Sequence, residues 1–392
     1  MNRVIKYSDK VKIYYLSYFL YNLARVLPHA VLTVILLNKG MTVGNIAFIQ
    51  GFFMLAVLLF EFPSGIITDI WSEKKIYIMS LGLLALSYFI IIFSDSLIPL
   101  CMSWFVYGIS SAAISGSLET YFLRSYDNDG EKIKKFNVNF NNTQLYSGLI
   151  GGGIGSFIYK FLDLGLYVIS IVTIIVSALI IIFFFKEEAI HQLKKPQQVT
   201  EILGTIKQIK NKSIFLSIGL LSAFQIIMQL FFQFWQVMFL NTKISDVYFG
   251  LFYILFQIVA IVSNRIFKRF DFYSLKFPLI SALSLFLIVS FVMSNKLLFV
   301  FSIICFLFPF YIYSNQLVLE LQKEAPTKAF SSIVSFSGTV SSVVSLIFLW
   351  GVSYFDRLYS FELVSVCAIV IFFLVSSFLI IRSRNQSLYV ES

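Results

Sequence analysis

The strongest constraint on this chain is a series of long apolar runs, each about as long as a bilayer is thick. Tyr167–Phe185 is one, and it holds no charged residue. About 20 predominantly apolar residues in a helix cross the hydrocarbon core. Soluble domains are about 45–50% apolar and about 25% charged; this chain is 58% apolar and 13% charged. That balance excludes a soluble globular fold, and its hydrophobicity excludes disorder. A transmembrane barrel alternates apolar and polar residues in weak segments, unlike these unbroken runs. The chain is therefore expected to be an all-α membrane protein, because a helix satisfies its own backbone polar groups within lipid.

Twelve spans are expected, at 13–37, 46–67, 76–94, 98–122, 138–160, 164–185, 214–239, 247–267, 276–294, 297–319, 330–350 and 360–381. The one long polar connection, 187–212, includes a stretch at 201–210 that places Ile202, Leu203, Ile206 and Ile209 on one helical face. It reads as a cytoplasmic linker with an amphipathic surface helix, between an N-terminal six-helix bundle (1–186) and a C-terminal one (213–392). With the N-terminus placed inside, 24 Lys and Arg fall on the cytoplasmic side and 5 outside. This asymmetry predicts that both termini are cytoplasmic. It also accounts for the net charge of +10 through topology and anionic lipid rather than nucleic acid. No secretory signal is expected, because no small-residue cleavage site follows the first run. Cys101, Cys305 and Cys367 all lie inside apolar runs and read as free thiols.

The two halves repeat. Gly65-Ile-Ile-Thr-Asp69-Ile-Trp-Ser-Glu73-Lys74-Lys75 follows span 2, and Ala260-Ile-Val-Ser-Asn264-Arg265-Ile-Phe-Lys268-Arg269 follows span 8. On these residues the chain resembles the major facilitator superfamily. That family carries Gly-x-Leu-Ala-Asp-Arg-x-Gly-Arg-Lys at this place. Gly65, Ile67, Asp69 and Lys74 match it, whereas Ile70, Ser72 and Glu73 depart from it. Glu61-Phe62-Pro63-Ser64-Gly65 also looks like the lead-in of a bacterial drug/proton antiporter branch. The resemblance implies two pseudo-symmetric six-helix bundles and alternating access. It also implies a conformational latch at Gly65, Asp69 and Lys74, with Arg265 at the equivalent place in the second half. Lys74 and Lys75 are expected to face lipid headgroups. Span 5 holds Gly148, Gly151, Gly152, Gly153 and Gly155. Close helix packing and the antiporters' glycine-rich span 5 are both open readings of it.

A charge near the membrane centre costs about 2.5–3.5 kcal/mol on insertion scales, so it needs a partner or a wet cavity. The candidates are Arg25 and His29 in span 1, Glu61 in span 2 and Glu119 in span 4, with Glu320 and Glu362 nearer span edges. The resemblance puts spans 1, 4, 7 and 10 around a central cavity, so Arg25 and His29 would face Glu119 and Glu320. Glu119 would carry a proton beside Arg25, with Glu61 a second site. A permanent Arg25–Glu119 ion pair is the competing reading. Gln225, Gln229, Gln233 and Gln236 form one narrow stripe at 100° per residue. Either it lines a substrate cavity, completed by Trp235, Tyr311, Asn315 and Gln316, or it makes interhelical hydrogen bonds.

The expected function is proton-coupled efflux of a small amphiphile. An importer of a sugar, peptide or nucleoside, or a lipid flippase, is the alternative. The partners are a small-molecule substrate, protons and membrane lipid. No cofactor, metal, nucleic acid or enzymatic activity is expected, since no phosphate-binding loop or metal-ligand cluster stands in the sequence. A monomer in a bacterial cell membrane completes the expectation.

Overall fold

The computed structural model describes residues 7–70, 72–115, 117–126, 129–187, 212–325 and 330–391. Among them the only regular structure is helical. Ten helices are long and apolar enough to cross a membrane. An eleventh span is bent: α1 (Tyr7–Val26) and α2 (Leu32–Asn38) meet at 54° across a 3-10 turn, Leu27–Ala30. Pro28 opens that turn. It removes a backbone donor and crowds the carbonyl one turn earlier, which favours a break here, although the helix Lys296–Glu324 runs on through Pro309. Span 1, expected as one run over 13–37, is thus a broken helix.

The remaining helices of the first half are α3 (Val43–Ile70), α4 (Glu73–Phe93), α5 (Leu97–Ser115), α6 (Leu118–Ser125), α7 (Gly130–Leu162) and α8 (Gly165–Phe184). The second half holds α9 (Lys212–Asn241), α10 (Phe249–Phe267), α11 (Lys276–Val292), α12 (Lys296–Glu324), α13 (Phe330–Phe355) and α14 (Phe361–Glu391). The expected span 4 divides into α5 and α6. Expected span 5 lies in α7, whose first half (Glu131, Lys132, Lys134, Lys135 and a run of Asn) is too polar to score as a span. Several helices outlast their apolar cores: α14, expected to end at 381, runs to Glu391. The 187–212 linker, with its amphipathic stretch, lies almost wholly outside the described residues.

The described chain divides into two compact units. One holds Met1–Met41, Phe52–Pro196 and Asp246–Ile254; the other holds Thr42–Gly51, Gln197–Ser245 and Leu255–Ser392. In the first, α1 packs on α7 and α8, and α4 packs on α5 and α8. In the second, α9 packs on α13 and α14, and α11 packs on α12 and α14. Taken in chain order these are the same pairings, so the sequence repeat is also a packing repeat.

Small side chains set the contacts in the first unit, as expected where lipid removes the hydrophobic drive for helix association. A Cβ on Gly155 would collide with the Leu27 carbonyl oxygen, and one on Gly151 would lie 2.9 Å from the Leu23 carbonyl oxygen. These glycines let α7 lie against the turn that ends α1, so packing is the reading that holds for them. Ser17 hydrogen-bonds Ser177 at 2.8 Å and Tyr77 at 3.1 Å, tying α1 to α8 and α4.

Candidate functional site

The first unit builds a polar centre where α1 breaks. Arg25 stands in the last turn of α1, where a cation is favoured by the helix dipole. Its Nε and Nη2 both donate to Asn22 Oδ1, at 3.3 and 3.0 Å. Asn22 is buried and in turn donates to Ser147 Oγ (2.7 Å) and to the Gln144 carbonyl oxygen (3.1 Å) on α7. Tyr88 on α4 donates its hydroxyl to the Arg25 carbonyl oxygen at 3.2 Å, supplying a partner near the helix break. The hydroxyls of Tyr18, Tyr21, Tyr88 and Tyr107 lie within electrostatic reach of the guanidinium. His29, inside the 3-10 turn, hydrogen-bonds Tyr107 at 3.3 Å. Gln144 donates to the Tyr18 hydroxyl at 2.6 Å. Arg25 and His29 are half-buried.

Glu119 occupies the first turn of α6 and is half-buried. A helix N-terminus suits a carboxylate. Tyr18 lies within electrostatic reach of both Arg25 and Glu119, so the two charges share one region of the unit. Among the described residues, however, Arg25 and Glu119 do not meet as an ion pair: Arg25 is held by Asn22 instead. Glu61 is exposed on α3.

The second unit handles charge differently. Lys276 Nζ lies 2.7 Å from Glu320 Oε2, with both side chains only 8% exposed. Gln316 donates to Glu320 Oε1 at 3.0 Å, and Lys276 sits 4.7 Å from the Tyr273 ring centre. Glu320 and Gln316, expected in the cavity of the first-half charges, are thus committed to a buried pair. Along α9, Gln229 and Gln236 are buried whereas Gln225 and Gln233 are half-buried. Gln229 donates to Ser345 on α13 at 3.3 Å and accepts from Gln233 at 3.0 Å. Trp235 is buried against Phe239 and Phe256, with ring centres 5.3 and 5.1 Å away. Tyr311 is half-buried beside Phe310.

Of the expected latch, Gly65 and Asp69 fall in α3, but their side chains lie outside the described residues. Lys74 Nζ donates to the carbonyl oxygens of Ile182 (3.1 Å) and Phe185 (2.7 Å) at the end of α8. The unpaired carbonyls of a helix C-terminus attract a cation, which explains the docking. Arg265 is exposed on α10, and Asn264 accepts from Asn315 on α12 at 2.6 Å.

Sequence reasoning missed Tyr18, Asn22, Tyr107 and Gln144 around Arg25, and Lys276 beside Glu320. A signal for the first group exists. Tyr14, Tyr18, Tyr21 and Arg25 fall at i, i+4, i+7 and i+11, one face of a helix, as the glutamines do on α9. Lys276 reads from sequence as a loop charge because it opens its span.

A family profile described as Major Facilitator Superfamily matches residues 14–349. Two solved structures have similar folds. A nucleoside transporter, NupG, shares 13% identity over 95% of this chain and 97% of its own, with a TM-score of 0.69. A bacterial homologue of the human lysosomal transporter Spinster, solved inward-facing and occupied, shares 11% identity over 98% of each chain, with a TM-score of 0.74. At these identities the likeness is one of fold. By sequence, no curated protein matches the chain.

Proposed function

This chain belongs to the major facilitator superfamily, its match running over residues 14–349, and from that premise we propose that it is a proton-coupled exporter of a small amphiphilic molecule working by alternating access. The observation that carries this reading is the polar centre at the α1 break. A guanidinium, an imidazole, amides and tyrosine hydroxyls gather there, whereas the other buried polar groups of the unit are mostly serines. Polar groups at membrane depth mark substrate and proton pathways, and broken helices recur at transporter binding sites.

In this reading Glu119 carries the proton, and its distance from Arg25 sets its proton affinity: close approach favours the carboxylate, separation favours the acid. Glu61 is a second proton site. Within the second unit, Gln225, Gln233 and Tyr311 are each half-buried and are the candidate substrate contacts of that unit. The protein works as a monomer in a bacterial cell membrane with both termini cytoplasmic, where the 24:5 basic asymmetry places them. Import of a sugar, peptide or nucleoside, or lipid flipping, is the rival reading, and the glutamines of α9 suit an importer equally well.

The test is reconstitution into vesicles with an imposed pH gradient and a substrate panel. Flux of a lipophilic substrate should rise when protons run against it, and Glu119→Gln should transport without that dependence. Counterflow indifferent to pH in the unmodified protein rejects proton coupling. Nucleoside uptake alone selects the importer.

A further inference from the structure

Arg25 is fixed but not neutralised. Among the described residues no carboxylate lies within ion-pair distance of it, and the groups ranged around it are neutral: the Asn22 amide and the hydroxyls of Tyr18, Tyr21, Tyr88 and Tyr107. Elsewhere this chain pairs its charges when it buries them, as Lys276 with Glu320 at 2.7 Å shows. An uncompensated cation in a bundle core is expensive, and such residues either pair or face a wet cavity. Arg25 is half-buried, and Gln144 on α7, whose carbonyl oxygen accepts from Asn22 and whose amide donates to Tyr18, is exposed. A half-buried cation in such a centre needs access to water or to a partner.

The guanidinium carries five N–H donors in a rigid fork. Asn22 occupies the Nε–Nη2 edge through one oxygen, and its own bonds to Ser147 and Gln144 hold it there. Tyr107 accepts a further hydrogen bond from the guanidinium, and among the described residues no carboxylate completes its shell. This geometry matches a planar anion, which a guanidinium binds through two parallel hydrogen bonds. Tyr107 and His29 stand beside it and add hydrogen-bonding capacity.

We infer that Arg25 binds a carboxylate on the transported molecule, so that the substrate is an amphiphilic organic acid or zwitterion. The inference rests on the transporter reading above and narrows its substrate class. Bound there, the substrate's carboxylate takes the neutralising role that Glu119 can otherwise play, so the two would occupy Arg25 in turn.

The experiment is equilibrium binding to the purified full-length protein, read as a shift in its thermal unfolding midpoint. The probes are octanoate and 1-naphthoate, their amides, and octyl phosphate. The acids should stabilise the protein in a saturable way and the amides should not. Arg25→Gln should bind the acids at least about tenfold more weakly, as loss of a charge-assisted contact implies, and Arg25→Lys should retain part of the affinity. Equal stabilisation by acid and amide, unchanged binding by Arg25→Gln, or binding of octyl phosphate alone overturns the assignment. The acid–amide comparison on the unmodified chain needs no substituted protein to fold. Because the readout uses no gradient, it stands if proton coupling fails. A pH-driven flux unaffected by Arg25→Gln would sink it while leaving the transporter reading intact.

Discussion

Arg25 in the first unit and Lys276 in the second are both cations within apolar bundles, and the protein treats them in opposite ways. Lys276 is closed off: Glu320 neutralises it at 2.7 Å, Gln316 holds the carboxylate, and both charged side chains are 8% exposed. Arg25 is held by a neutral amide, ringed by hydroxyls and left half-buried. A complete buried pair is inert, since its Coulomb gain goes to offsetting its own desolvation. A cation whose shell lacks an anion has binding energy left for one. On the reading proposed above, the contrast separates a charge that serves the fold from one left open to a ligand.

The largest expected effect tests the closed pair. Glu320→Gln should destabilise the protein by about 3–5 kcal/mol, because it strands a buried ammonium. The double substitution Lys276→Met with Glu320→Leu should restore most of that stability in detergent unfolding. A double variant as weak as the single one would mean that the pair does more than neutralise charge. A smaller effect is expected where the first unit repeats the arrangement at its surface. Arg124 Nη1 meets Glu73 Oε1 at 3.3 Å, with the arginine side chain 44% exposed. Solvent screens such a pair, and Glu73→Gln should cost about 0–1 kcal/mol. A loss comparable to that of Glu320→Gln would show that exposure does not govern these charges.

Much of this architecture is legible in the sequence because lipid makes the rules strict. Unbroken apolar runs such as 167–185 mark spans, and the two loops after spans 2 and 8 reveal the repeat. What the runs conceal are interruptions. Pro28 stands in plain view, yet apolar residues continue on both sides of it, so span 1 reads as one run. The first half of α7 is helical despite Lys134, Lys135 and its asparagines, because helix formation does not require apolarity. The candidate site was legible only in its charges. Arg25 and His29 are rare enough to notice, and Tyr18 shares the helical face of Arg25, but Tyr88 and Gln144 join them from α4 and α7 through packing, which no spacing rule foretells. For the same reason, Lys276 looks like a loop charge until Glu320 is found beside it.

The claim that Arg25 is poised for a ligand rather than serving the fold is most directly tested by thermal unfolding of Arg25→Gln beside Glu320→Gln, with no ligand present. Removing an uncompensated charge should leave the unfolding midpoint unchanged or raise it, while Glu320→Gln lowers it by several degrees. If Arg25→Gln falls as far as Glu320→Gln, Arg25 is part of the protein's own framework and the account is wrong.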